Sequence, residues 1–208
     1  MLVGDPSAWL PHFRSLGDRV LAAIDETWPV CLTPLMPIKG TLTREDPITE
    51  QLVLALIRSK KVPGRLVPQY SLLTERPDGT AHLSSDIDFV LTMGDDEDVY
   101  LACECKRLNV PFKSGKKALV REYLDEGLAR FLIGKYSPGL PYALMLGYVM
   151  DGNTVSARRA LRRALTARTP ALRLSSLSAS SDDDPFASRH DRVDDCDIEV
   201  VHRLLAWP

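Results

Sequence analysis

Residues 85–109, SDIDFVLTMGDDEDVYLACECKRLN, carry ionisable side chains inside two apolar runs, and that placement limits the folds open to the chain. A strand sends alternate side chains to opposite faces. On that period Asp86, Asp88 and Val90 share one face of a first strand. Tyr100, Ala102, Glu104 and Lys106 share one face of a second, with Val99, Leu101, Cys103 and Cys105 on the other. Gly94 and the acidic run 95–98 suit a solvated hairpin turn between them. Closing that hairpin brings Asp88 toward Glu104 and Lys106. Charge at the end of an apolar strand is costly to bury unless it is paired or bound to metal. Two converging carboxylates make a hard oxygen site suited to Mg²⁺. A neighbouring lysine can orient and activate water there, and a divalent ion stabilises charge building on a phosphate. The plainer alternative is a structural ion pair between Lys106 and Glu104 or Asp88.

The remaining chain supplies layers for a sheet. Residues 16–28 place Leu16, Val20, Ala23, Ile24 and Trp28 at helical spacing. A proline-containing connector is expected over 29–44. A helix is expected over 45–60, with Asp46 as N-cap, Pro47 at the first position, and Val53, Leu54, Leu56 and Ile57 inward. Residues 65–73 read as a strand, and Pro68 puts it at an edge. Gln69 could point into the proposed site, but nothing in the sequence secures it. The segment 75–82 reads as a turn. A helix is expected over 116–135, with Tyr123 in the core and Gly127 and Gly134 marking close packing or termination. Residues 141–151 form the most apolar strand, as a buried central strand would. An arginine-rich helix follows, with Arg158, Arg159, Arg162 and Arg163 on its basic face. A low-complexity loop over 175–184 and a final strand from Ile198 close the chain. His190, Cys196 and His202 match no zinc spacing and lack a fourth ligand, so the histidines are read as hydrogen-bonding residues near the sheet.

Length and composition bound the rest. A chain of 208 residues holds one domain with a sizeable core, divided here into a leading helix and connector (1–44), a core (45–150) and a C-terminal part (151–208). The formal net charge of −2 means that any nucleic-acid contact must come from local basic patches rather than a global field. Four cysteines without framework spacing fit a reducing cytosol. No segment reads as a signal peptide or a membrane span, so a cytoplasmic protein is expected.

Asp88 followed by Glu104-Cys105-Lys106 across a hairpin resembles the active-site motif of the PD-(D/E)XK, or restriction-endonuclease-like, nuclease superfamily. Ile87 stands where the motif's name has proline. The resemblance covers residues 45–150 and is specific at Asp88, Glu104 and Lys106. It implies an α/β fold, a central mixed β-sheet flanked by helices. It implies that Asp88 and Glu104, with the Cys105 carbonyl, hold Mg²⁺ (Mn²⁺ substituting), and that Lys106 activates the water. The string Glu45-Asp46-Pro47-Ile48-Thr49 resembles the helix element that completes this site, which makes Glu45 the fourth catalytic residue, with Glu50 as the rival. Lys113, Lys116, Lys117, Arg121 and Arg130 fall where such nucleases line their nucleic-acid groove. The implied function is metal-dependent hydrolysis of phosphodiester bonds, in DNA first. The alternative is a nuclease-fold subunit that binds nucleic acid or a partner without cutting. Double-strand cutting would favour a homodimer. So small a nuclease, with no sensor or sequence-reading part of its own, would need gating or a partner, as the effector of a bacterial defence or toxin system does.

Overall fold

The computed structural model describes residues 4–41, 43–71, 73–75, 81–83, 86–93, 99–179, 185–193 and 195–208. The expected turns at 94–98 and 76–80 and the end of the low-complexity loop, 180–184, lie outside the described residues.

Strand β8 (Tyr142–Val149) is the centre of the molecule. All eight of its residues are buried, which is why the segment is apolar without alternation. Strands β5 (Tyr100–Leu108) and β11 (Ile198–Ala206) run parallel to it on either side. Beyond β5, β4 (Ile87–Thr92) and then β1 (Arg65–Tyr70) pair antiparallel. Beyond β11, β10 (Phe186–His190) and β9 (Leu174–Leu177) do the same. The result is a seven-stranded mixed sheet in the order β1-β4-β5-β8-β11-β10-β9, with β1 at an edge as Pro68 requires. Two small ladders flank it: β2 (Leu73–Glu75) with β3 (Ala81–Leu83), and β6 (Val110–Phe112) with β7 (Gly115–Lys117).

Helices cover both faces of this α/β sheet. Helices α1 (Leu10–Leu32) and α2 (Asp46–Ser59) lie over Tyr142 and Tyr148 of β8. Gly17 is the contact point of α1, since a Cβ there would collide with the Tyr142 ring. Trp28 stacks on Tyr148 at 5.5 Å between ring centroids, and the Thr49 hydroxyl lies 3.0 Å from the Tyr148 hydroxyl. Helix α3 (residues 120–132) covers the other face, and its middle, Tyr123–Leu128, is π-helical. Helix α4 (Thr154–Ala167) packs beside α3, where Arg168 at its end pairs with Asp125 at 2.5 Å. No helix among the described residues is long and apolar enough to cross a membrane.

Several sequence expectations need correction. The first helix is longer than 16–28 and runs through Pro29, because the next turn still buries Cys31 and Leu32. Asp46 is the first residue of α2, and Glu45 occupies the cap position without a side-chain cap bond. The inward face of α2 is Ile48, Thr49, Leu52, Val53, Ala55 and Leu56, while Leu54 and Ile57 are exposed. Helix α3 starts at Val120 rather than at 116: Gly115, at φ +148°, closes a hairpin that puts Lys116 and Lys117 on β7. Arg158 is buried instead of joining the basic face of α4. Residues 175–177 belong to β9.

His190 and His202 are hydrogen-bonded, as expected, and the bond directions follow from one fixed end. His190 Nδ1 lies 2.8 Å from the Leu172 carbonyl, so it carries the hydrogen and Nε2 accepts. Ser188 Oγ therefore donates to His190 Nε2 at 2.8 Å and accepts from His202 Nε2 at 2.8 Å. His202 Nδ1 is left to accept from the Tyr123 hydroxyl at 3.0 Å. This buried chain joins α3 through β11 and β10 to the Leu172 carbonyl. Burial, then the neighbouring His190 and Arg162, hold His202 far down, at about 3.

Candidate active site

The site forms where β4 and β5 part. Their ladder runs from Thr92↔Tyr100 to Phe89↔Cys103. At the next position the Asp88 carboxylate takes over, and Cys105 N–H donates to its Oδ2 at 2.6 Å. Lys106 Nζ then lies within reach of three oxygens. It donates to Glu104 Oε1 at 2.7 Å, to the Cys105 carbonyl at 3.0 Å, and to Glu45 Oε1 at 3.2 Å. The side chain of Glu45 is free to do this because it does not cap its own helix, while its carbonyl accepts from Ile48 and Thr49 N–H. Arg107 Nε, 3.9 Å from Glu45 Oε2, holds the carboxylate from the other side.

Arg130 completes the cluster. It was expected in the nucleic-acid groove, yet Nη1 donates to Glu104 Oε1 at 3.2 Å and to the Tyr136 hydroxyl at 2.7 Å. Tyr136 in turn donates to the Asp86 carbonyl at 2.7 Å. Sequence reasoning missed Tyr136, whose role depends on its loop closing back over the strand end, and Arg107, whose contact with Glu45 depends on the start of α2 docking beside β5. Gly127 lets α3 approach: a Cβ there would sit 3.6 Å from Lys106 Cγ and 3.7 Å from Glu104 Cγ.

The electrostatics are those of a crowded buried cluster. Burial, then the Asp88 charge, push Glu104 up to about 8 against the pull of Lys106 and Arg130. Burial also raises Asp88, although Lys106 and the Cys105 N–H oppose it. For Lys106 burial works downward, but the Glu104 and Asp88 carboxylates outweigh it and the ammonium is held above its ordinary range. Glu104 Oε1 accepts two charged donors, while Oε2 is buried with no hydrogen-bond partner among the described residues. A buried carboxylate oxygen without a partner calls for a missing group.

These residues fit a divalent cation. Oxygens already surround a positive nitrogen, one carboxylate oxygen is unused, and the donors are hard. Among the described residues no group of three or more His, Cys, Asp or Glu side chains is arranged to hold a metal ion. An ion here would rest on Asp88, Glu104, the Cys105 carbonyl and water.

The structure separates the other candidates. Glu50 is exposed and lines a crevice beside Asp88 with Asp46 and Gln69; it does not meet Lys106. Lys113 and Lys117 are exposed on the β6–β7 hairpin. Lys116 pairs with Asp151 at 2.9 Å and Arg121 with Asp125 at 3.2 Å, both as exposed surface pairs.

Neither a protein-family model, nor a curated protein, nor a solved structure matches this chain.

Proposed function

We propose that the chain is a metal-dependent endonuclease of the PD-(D/E)XK, restriction-endonuclease-like kind, acting on DNA. The observation that carries this reading is the buried Glu104 carboxylate, shared between Lys106 and Arg130 and with Oε2 unused. A structural ion pair alone has no need of two cations on one oxygen and none on the other.

In this reading Asp88, Glu104 and the Cys105 carbonyl hold Mg²⁺ or Mn²⁺, which would supply charge neutralisation at the scissile phosphate and an acidified water. Lys106 orients the water from its place beside Glu104. Glu45 holds the ammonium in position, and Arg107 holds Glu45. Arg130, about one-third exposed beside Glu104, is placed to meet a phosphate oxygen in this reading. Lys113 and Lys117 add positive charge on the hairpin that follows β5. Homodimerisation and gating by a larger defence assembly belong to the same reading.

Supercoiled plasmid incubated with Mg²⁺ or Mn²⁺, with and without chelator, tests it. Nicking that needs the metal and disappears in folded Lys106→Ala is expected. A folded wild-type chain that cuts no plasmid, linear duplex or single strand favours the binding-subunit alternative.

A further inference from the structure

Strand β1 contains a backbone anomaly opposite the proposed catalytic aspartate. Pro68 pairs with Phe89 and Tyr70 with Ile87, so Gln69 falls opposite Asp88. Gln69 sits at φ +49°, in the left-handed region, and the ladder skips it. Among the described residues, the other non-glycine residues with positive φ lie at helix ends or in connections: Lys60, Asn109, Leu119, Ser137 and Arg173. Gln69 alone is inside a strand. A long side chain in this conformation is unfavourable, and such outliers cluster where function fixes them.

Gln69 lines a narrow crevice beside Asp88 with room for about 20 Å³, roughly one water, so a larger group would meet the Gln69 side chain at its mouth. Asp46, Glu50 and Asp88 line it too, and each ionised carboxylate is an acceptor only. Thr49, also on the wall, has its hydroxyl against Tyr148. The Gln69 amide is therefore the side-chain N–H donor that the crevice offers among the described residues. Beside the cation that Asp88 and Glu104 would hold, a phosphodiester brought to Asp88 would face Glu50 and the Arg44-paired Asp46, and Gln69 is the neutral donor on that side.

We propose that Gln69 is a substrate-contacting residue whose side-chain amide donates to a non-bridging oxygen of the phosphodiester bound at Asp88. This rests on the nuclease reading and extends it to a strand outside the motif. The neutral amide suits this place, since a lysine or arginine would pair with Asp46 or Glu50 instead.

Steady-state cleavage of a fluorescein-labelled linear duplex in Mg²⁺ tests the proposal, with melting temperature measured on every variant. Gln69→Glu keeps size and backbone preference and turns the donor into an acceptor. Gln69→Gly deletes the side chain and relieves the backbone. Gln69→Gly should melt at or above the wild-type temperature, whereas Gln69→Glu should melt somewhat lower because it adds a carboxylate beside Asp46, Glu50 and Asp88. Both should raise KM about tenfold or more. Wild-type KM in both variants overturns the role of Gln69 and leaves the nuclease standing, provided that Lys106→Ala is inactive. Loss of activity in Gln69→Gly that tracks a fall in its melting temperature also overturns it, because the side chain would then be structural. A wild-type chain without metal-dependent cleavage overturns the nuclease reading and Gln69 with it.

Discussion

Lys106 Nζ and Glu104 Oε1 lie 2.7 Å apart on one face of β5, with both residues buried. Two residues along a strand put side chains on the same side, so the pair is dictated by the Glu-Cys-Lys spacing itself. Lys106→Met keeps the aliphatic stem and removes the ammonium, leaving Glu104 without its nearest cation. Urea denaturation should show a loss of about 3 kcal/mol. The Glu104 carboxyl, already pushed up to about 8, would then bind its proton more tightly. The loss should therefore be smaller at acid pH than at alkaline pH. A pH-independent loss would mean that Glu104 is not the group left uncompensated.

The close passage of α3 gives a second expectation. A Cβ on Gly127 would stand 2.5 Å from Met145 Cε, inside a closed core. Gly127→Ala should cost about 1–3 kcal/mol, as overpacking does. Met145→Ala costs about 2–5 kcal/mol on its own as a core truncation, but it removes the obstructing atom, so the double variant should lose less than the sum of the two single losses. Thermal melts of the single and double variants check this, and simple additivity would show that the two sites do not touch.

Tyr136 ties Arg130 to the backbone at Asp86. Tyr136→Phe removes both bonds and leaves the ring, which packs on Phe131. A loss of about 1–2 kcal/mol in urea denaturation is expected. Cleavage should fall as well, because Arg130 loses the partner that aims it at Glu104.

Much of this arrangement was legible in the sequence. The alternation through 85–109, the apolar run at 141–151 and Pro68 in the edge strand each followed from local chemistry. Glu45 was legible too, and Lys106 meets it across sixty-one residues of chain. What escaped depends on tertiary closure. Pro29 reads as a helix terminator, and only the burial of Cys31 and Leu32 carries the helix past it. Lys116 and Lys117 read as helical, and the turn at Gly115 takes them into a hairpin. Arg130 read only as a groove residue, because nothing local says that its helical turn also comes back to touch Glu104.

The buried chain through His202 predicts acid sensitivity. Its pKa is held at about 3, below the ordinary value of 6.5, chiefly by burial. A depressed histidine contributes stability that is fully present above the unfolded value. That stability is lost as pH falls from about 6.5 toward 3. Denaturation midpoints should decline through that interval. His202→Gln, which does not protonate there, should flatten the decline at the cost of lower stability at pH 7. An unchanged slope would show that other groups govern it.

The most direct test of the central claim is Asp88→Asn. Burial raises the Asp88 pKa, so its ionised form is a net burden on the fold. Asparagine keeps an oxygen for the Cys105 N–H and removes the charge. Melting temperature and Mg²⁺-dependent cleavage should be measured on one preparation. The account predicts a variant at least as stable as wild type with cleavage reduced ~10²-fold or more. Cleavage that survives in a stable Asp88→Asn protein would contradict it and move the active site elsewhere.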